Sequence, residues 1–170
     1  MGFFNTIPKK PGVANFIIRQ IYTCFGLGLM PKAPGTFGTL LGIPLYFLFV
    51  RLGWEWYVAG TLFVFFLGWW ASNRAEVDLD SHDDHRAVID EVLGYLVTMV
   101  PLPHVSVLPC AFIWGFFLFR FFDILKPGPI GWIDREVSGG FGVMFDDFVA
   151  GIFAWVTMFL MGLLYSAAFL

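Results

Sequence analysis

Five apolar runs follow one another along the chain, at residues 39–50, 54–71, 92–103, 105–122 and 148–170. A transmembrane helix needs about 20 apolar residues, with about 17 to 25 tolerated, so the first and third runs are short. Prolines also interrupt or end these two runs, which favours half-spans or kinked elements packed inside a bundle. The pattern therefore predicts an all-α protein, a small polytopic bundle of four or five membrane-embedded helices joined by polar loops.

The composition supports a membrane protein. Hydrophobic residues make up 58% of the chain and charged residues 14%, whereas about a quarter of the residues in an ordinary soluble domain are charged. A length of 170 residues predicts a single domain, with residues 1–35 as an N-terminal cytoplasmic or interfacial segment and 36–170 as the bundle. The net charge is only −3, and the chain has no basic stripe with interleaved aromatic residues, which argues against nucleic-acid binding.

The apolar stretch at 16–30 is interrupted by Arg19 and Gln20, and no small-residue cleavage pattern follows it. These features argue against a signal peptide and favour an interfacial or tightly packed helix. Cys24 and Cys110 are far apart and lack CxxC spacing, so we expect both to be structural.

The distribution of basic residues predicts the orientation in the membrane. Lys9, Lys10, Arg19 and Lys32 all precede the first apolar run, and cytoplasmic loops near the ends of spans are enriched in Lys and Arg. The N-terminus is therefore expected in the cytoplasm. Counting spans from there places every acidic residue except Glu55 on the cytoplasmic face, where we expect the chemistry to occur.

Two pairs of adjacent carboxylates stand against apolar runs: Asp90 with Glu91, and Asp146 with Asp147. A glycine follows both Asp90 and Asp147 by four residues, on the same helix face, so a neighbouring helix or a ligand can approach closely there. Carboxylates at a helix N-terminus interact favourably with its dipole, which accounts for one pair. Several carboxylates brought together repel one another unless a cation neutralises them, and Mg²⁺ suits carboxylate oxygens. The sequence predicts that all four residues are Mg²⁺ ligands.

The segment FRFFDILKPGP contains Arg120, Asp123 and Lys126 at helical spacings of three. If the helix continues to Lys126, these side chains project from one side, and Pro127 stops the helix. One interpretation is an ordinary ion pair with snorkelling cations at the membrane interface. The other is a phosphate clamp, in which Arg and Lys bind phosphate oxygens and Asp orients one of them.

The segment PGTFGT combines Gly35, Thr36, Gly38 and Thr39. It is either a turn leading into a helix capped by Thr36 or an anion site formed by backbone N–H groups and hydroxyls at a helix N-terminus. No GK[ST] follows, so it is not a Walker A loop.

The loop at 76–90 carries several acids and two histidines. It is either simply solvated or a zinc-binding loop. Asp83, which lies close to the first acidic pair, is the residue in this loop that we expect to take part in the chemistry.

Four motifs in order, PGTFGT, D-x6-DE-x2-G, FRFFDILKPGPIGWIDR and GGFGVMFDDFVAG, together resemble the phosphatidylglycerophosphatase A family. The resemblance implies a Mg²⁺-dependent phosphatase of the bacterial inner membrane, which hydrolyses the lipid phosphatidylglycerophosphate to phosphatidylglycerol and phosphate in phospholipid biosynthesis. Under this interpretation the catalytic residues are Asp83, Asp90, Glu91, Asp123, Asp146 and Asp147, and the phosphate-binding residues are Gly35, Thr36, Gly38, Thr39, Arg120 and Lys126.

The expected mechanism is metal-assisted attack of water on the phosphate, with Asp123 or Asp83 as base. An aspartyl-phosphate route stays open. Two other functions are alternatives. A CDP-alcohol phosphotransferase also uses acids and Mg²⁺ at the membrane face, but its DxxDGxxAR motif is absent from this chain. A small divalent-cation transporter would place its acids near the middle of the bilayer, whereas these acids lie at the ends of the predicted spans.

Overall fold

The computed structural model describes residues 13–79, 87–101 and 110–169, and within these ranges all regular structure is helical. This confirms the predicted all-α class for the described part of the chain. The seven α-helices of these ranges are α1 (Val13–Tyr22), α2 (Pro34–Leu52), α3 (Trp54–Leu79), α4 (Ile89–Thr98), α5 (Ala111–Leu125), α6 (Pro129–Glu136) and α7 (Gly139–Phe169), and a 3-10 turn at Leu27–Leu29 joins α1 to α2.

Helix α4 forms the centre of the bundle. It is only ten residues long, yet every residue from 92 to 99 is buried, as expected for a helix that is apolar on all sides. Helices α2, α3, α5 and α7 pack around it. The Tyr57 hydroxyl of α3 donates a hydrogen bond to the Leu96 carbonyl at 2.6 Å, and the Tyr95 hydroxyl donates one to the Phe112 carbonyl of α5 at 3.0 Å.

Glycines allow α4 and α7 to pack backbone against backbone. A Cβ atom on Gly151 would lie 2.6 Å from the Gly94 carbonyl oxygen, and one on Gly94 would lie 2.9 Å from the carbonyl oxygen of Asp147. Real Cβ contacts are longer than this, so only glycine fits without a shift. The prediction that glycines four residues after Asp90 and Asp147 permit close helix approach is confirmed.

Glycines on α2 make a second close contact with α4. Gly35 lies beside Glu91 and Gly42 beside Tyr95, so these two helices run in the same direction. Arg120 of α5 also reaches Glu91, although α5 runs the opposite way. One end of the bundle therefore gathers the N-terminal ends of α2 and α4 and the C-terminal end of α5.

The outer surface of the bundle is apolar. Helix α2 and the segment Gly139–Ala168 of α7 are each long and apolar enough to cross a membrane, and only 22% and 28% of their most apolar windows are buried inside the protein. Large side chains such as Phe47, Phe63 and Leu164 are exposed. Exposed apolar area of this extent indicates an apolar environment rather than water, which supports association with a membrane.

Helix α1 packs against α3. Its Ile18 and Tyr22 are buried while Phe16 and Ile17 are exposed, and the Tyr22 carbonyl accepts a hydrogen bond from the Val88 N–H at 2.9 Å. The chain therefore uses this amphipathic stretch as a packed helix, one of the two interpretations that the sequence favoured.

Several predicted boundaries were wrong. Helix α2 begins at Pro34 rather than near Thr39, and its N-cap is Ala33, not Thr36. Proline suits the first helical position because the N–H it lacks would have no helical partner there. Helix α5 ends at Leu125, so the helix does not include Lys126 as the phosphate-clamp interpretation required, and Lys126 adopts a left-handed conformation after it. Residues 102–109, which include parts of two predicted apolar runs, lie outside the described ranges.

Helix α7 begins at Gly139, nine residues before the predicted start. Its first two turns pack on α3, where the Gly140 N–H donates a hydrogen bond to the Asn73 side chain at 2.8 Å and Met144 covers Gly68. Asp146 and Asp147 therefore lie inside the helix and not at its N-terminus, so the helix dipole does not account for this pair.

Candidate cation and phosphate site

Three carboxylates meet where α4 approaches α7. Oxygens of Asp90, Glu91 and Asp147 lie within 4.8 Å of one another. Asp90 and Glu91 stand in the first turn of α4, and Asp147 precedes the glycine contact between the two helices by one turn. Asp147 is only 4% exposed, whereas Asp90 and Glu91 are partly buried. The glycine contact therefore brings acids that are 56 residues apart in the chain into one cluster.

The cluster has the properties of a cation site. Carboxylates at this separation repel one another strongly unless positive charge lies between them. The Glu91 Oε2 atom is buried and has no hydrogen-bond partner within the described ranges, although a buried acceptor normally has one. Three carboxylates with such an unsatisfied oxygen suit a hard, oxygen-binding divalent ion such as Mg²⁺.

Arg120 borders the cluster on the α5 side. Its Nη1 atom lies 2.6 Å from Asp123 Oδ2 and 3.6 Å from Glu91 Oε1. The expected ion pair with Asp123 is therefore present for Arg120, whereas Lys126 pairs with other acids. Gly35 makes room for this group, because a Cβ there would overlap Glu91 Oε1 and lie 2.9 Å from Arg120 Nη1. The N-terminus of α2 thus faces both the acids and the guanidinium.

Lys126 forms a second charged group beside the cluster. Its Nζ atom pairs with Asp134 of α6 and lies 2.7 Å from Asp146 Oδ2. Burial alone would lower the pKa of Lys126, but its hydrogen bonds to Asp134 and Asp146 raise that pKa above its ordinary value. The ammonium is therefore charged at any physiological pH. The other oxygen of Asp146 accepts the N–H of Asp147 at 2.9 Å.

The structure separates the predicted site residues into groups. Asp90, Glu91 and Asp147 form the cluster, whereas Asp146 binds Lys126. Asp83 lies outside the described ranges. The part that each residue plays in binding or catalysis stays a prediction.

The two glycines and two threonines of the PGTFGT segment differ in what they contact. Gly35 contacts the cluster, while a Cβ on Gly38 would lie 2.6 Å from the Val88 carbonyl, so Gly38 serves helix packing. Thr36 is partly buried in the first turn of α2. The Thr39 hydroxyl is buried and donates a hydrogen bond to the Gly35 carbonyl at 2.9 Å, so its proton is not available to a ligand.

Asp134 lies in the FRFFDILKPGPIGWIDR motif that resembles the family, but the sequence pattern gave it no role in the site. It follows Lys126 by eight residues, and the Pro-Gly-Pro turn at 127–129 lies between them. This turn folds α6 back towards the end of α5, which is the signal that would have placed an acid near Lys126.

Fold and site together define a membrane-associated helical protein with a buried acidic cluster between an arginine and a lysine, a combination suited to binding an anionic phosphate group. A family model for phosphatidylglycerophosphatase A matches residues 20–162. The chain belongs to this family.

Two curated relatives carry the same name. Phosphatidylglycerophosphatase A of Escherichia coli (strain K12) is 37% identical over 141 residues, which cover 81% of this chain and 79% of that protein. The Haemophilus influenzae phosphatidylglycerophosphatase A is 38% identical over 146 residues, covering 84% and 86%. A Bacteroides thetaiotaomicron protein, provisionally named a phosphatidylinositol-3-phosphatase, is 37% identical over 153 residues, covering 87% and 93%. No solved structure matches the chain.

Proposed function

We propose that this protein hydrolyses the terminal phosphate monoester of phosphatidylglycerophosphate, releasing phosphatidylglycerol and inorganic phosphate, and that it uses Mg²⁺. The observation that carries the proposal is the cluster of Asp90, Glu91 and Asp147 with its unsatisfied Glu91 oxygen, beside Arg120 and Lys126. Membership of the family supports the choice of lipid.

Asp90, Glu91 and Asp147 would hold the cation. When bound there, a divalent ion neutralises phosphate charge and makes a water molecule more acidic. Arg120 offers a planar fork of donors to the phosphate oxygens. Asp123 fixes the guanidinium through one oxygen at 2.6 Å, and we assign its second oxygen to take the proton of the attacking water.

The reaction balances with these groups. The water oxygen bonds to phosphorus, the bond between phosphorus and the glycerol oxygen breaks, and that oxygen leaves as a hydroxyl after taking up a proton. The competing route forms a bond between an aspartate oxygen and phosphorus first. Acid quenching of the enzyme during turnover with phosphate-labelled lipid distinguishes the two routes, because labelled protein would contradict direct attack by water.

The proposal includes a multi-pass position in a bacterial inner membrane, with four or five embedded helices and the site facing the cytoplasm. The apolar exterior supports embedding. The positions of Arg19 and Lys32 support the orientation, because both precede α2 at the end of the bundle that carries the site. Labelling of single cysteines introduced at Lys32 and Arg51 in intact spheroplasts tests it, because only position 51 is expected to react from outside.

Phosphate release by purified protein in mixed micelles is the primary test. We expect Mg²⁺-dependent phosphate release from phosphatidylglycerophosphate, and this activity should fall at least about 100-fold in Asp90→Asn and in Asp147→Asn. Loss of a residue that only supports a metal ligand costs about 10- to 100-fold, so loss of a ligand itself should cost more. Glu55→Gln is the matched control, because Glu55 is an exposed acid at the start of α3, near the far end of α4. Wild-type activity in either cluster variant would refute the assignment.

The choice of lipid requires a substrate panel, since one relative is named for a phosphoinositide. Phosphatidylglycerophosphate, phosphatidylinositol 3-phosphate and free glycerol 3-phosphate share the phosphate monoester and differ in headgroup and lipid tail. We expect the first to be preferred. A preference for phosphatidylinositol 3-phosphate would change the substrate and keep the site, whereas Mg²⁺ flux into vesicles without phosphate release would favour a transporter.

A further inference from the structure

The two adjacent aspartates of α7 serve different partners. Asp147 points into the carboxylate cluster. Asp146 uses both of its oxygens elsewhere, one at 2.7 Å from Lys126 Nζ and the other accepting the Asp147 N–H at 2.9 Å. Within the described residues the cluster of potential ligands contains three acids and not four.

The fold holds Lys126 firmly in this position. Its backbone is left-handed, with φ of 43°, and its carbonyl packs on Gly131, where a Cβ would lie only 2.6 Å away. This contact keeps α6 against the end of α5 and so brings Asp134 to the ammonium group, opposite Asp146.

We propose that the site holds a single divalent ion, and that Lys126, positioned by Asp134 and Asp146, supplies the second positive charge to the phosphate. This inference rests on the proposed function. Sites with two metal ions place them about 3.5–4 Å apart, and each ion needs carboxylates that are free to bind it. Here the carboxylate of Asp146, which a second ion would need as a ligand, is already paired with the ammonium group of Lys126. Asp134 and Asp146 are thus positioning residues that act through Lys126.

Counting bound ions tests the first part. Mn²⁺ replaces Mg²⁺ as a spectroscopic probe, and equilibrium dialysis with electron paramagnetic resonance gives the number of ions per chain and the Kd. We expect one Mn²⁺ per wild-type chain, lost in Asp147→Asn. In Asp146→Asn one ion should stay bound, and its Kd should change by less than about tenfold. Tenfold is about the smallest change typical for a residue that hydrogen-bonds to a metal ligand. Two ions per wild-type chain, or loss of the ion in a folded Asp146→Asn protein, would overturn the inference.

Substitution at Asp134 tests the positioning role without disturbing the buried cluster, since the Asp134 side chain is 42% exposed. We expect Asp134→Asn to lower kcat on the order of tenfold, with the Mn²⁺ Kd and count unchanged. Asp134→Glu should recover most of that loss. Glu136→Gln removes the same charge from the exposed end of the same helix and should leave kcat unchanged.

The outcomes separate this inference from the proposed function. A wild-type kcat in Asp134→Asn, or an equal loss in Glu136→Gln, would contradict the positioning role. Full phosphate release with two bound ions would overturn the single-ion site alone. Absence of phosphate release by the wild-type protein with any lipid of the panel would refute the function itself.

Discussion

Replacement of Gly35 by alanine tests whether the tight contact between α2 and α4 shapes the site. The added Cβ would overlap Glu91 Oε1 and lie 2.9 Å from Arg120 Nη1, whereas ordinary contacts begin at 3.4 Å. Glu91 and Arg120 must therefore both move. Catalytic groups need to be held within about 0.5 Å of their productive positions, so this shift should affect the cation ligand and the phosphate donor together.

The stability change should be small. Overpacking a tight contact typically costs about 1–3 kcal/mol, and alanine in place of glycine returns about 1 kcal/mol of helix propensity. We therefore expect a net destabilisation of about 0–2 kcal/mol. Activity should fall on the order of 10- to 100-fold, the loss that follows when a ligand is misplaced.

Gly42→Ala is the matched control on the same helix. Its Cβ would lie 2.7 Å from Tyr95 Cδ1, so it stresses the same helix interface two turns away from the acids. Thermal unfolding in detergent should give similar shifts in Tm for the two variants. Phosphate release and Mn²⁺ affinity should fall only in Gly35→Ala. Equal losses of activity in both variants, or wild-type activity in Gly35→Ala, would refute the reasoning.

Three further predictions concern the rest of the bundle. Burial and the nearby acids raise the pKa of Cys24 to about 12. At pH 8 a maleimide should therefore label the exposed Cys110 and leave Cys24 unmodified in the folded protein; equal labelling would contradict the burial of Cys24 after α1. Tyr57→Phe removes the hydrogen bond to the Leu96 carbonyl and should cost about 0.5–1.5 kcal/mol of stability, seen as a lower Tm, with the Mn²⁺ count unchanged. Gly151→Ala places a Cβ 2.6 Å from a backbone carbonyl oxygen of α4, and a backbone atom cannot move aside as a side chain can. The variant should therefore have a lower Tm than Tyr57→Phe; a Tm equal to or above that of Tyr57→Phe would show that α4 and α7 separate easily.

Local spacing in the sequence was enough to predict part of the site. Asp90 and Asp147 each precede a glycine by one helical turn, and the structure uses those glycines as the contact between α4 and α7. The pairing of Arg120 with Asp123 follows from their i,i+3 spacing on a continuous helix. In both cases the residues lie on one face of a single helix, so their spacing in the sequence is enough to place them together.

Other parts of the site depend on packing that spacing does not encode. Asp146 and Asp147 are neighbours in the chain, yet on a helix they point about 100° apart, and only the positions of α4 and α6 decide which faces which. Lys126 departs from its helix through a left-handed residue, so helical spacing could not predict its contact with Asp134. The start of α7 was missed because glycines at 139, 140 and 142 and the acids at 146 and 147 interrupt the apolar pattern, while the packing on α3 that stabilises these turns is not visible in the sequence.

The brevity of α4 bears on how the chain is assembled during synthesis. Ten helical residues extend only about 15 Å, half the hydrocarbon thickness of about 30 Å, so this segment has no stable place in lipid by itself. Its most extensive neighbour is α7, which begins only at Gly139 and is therefore synthesised well after α4. Chains that end before α7 is complete would contain an unsupported short helix and only two of the three acids of the cluster, and we expect membrane proteases to degrade them.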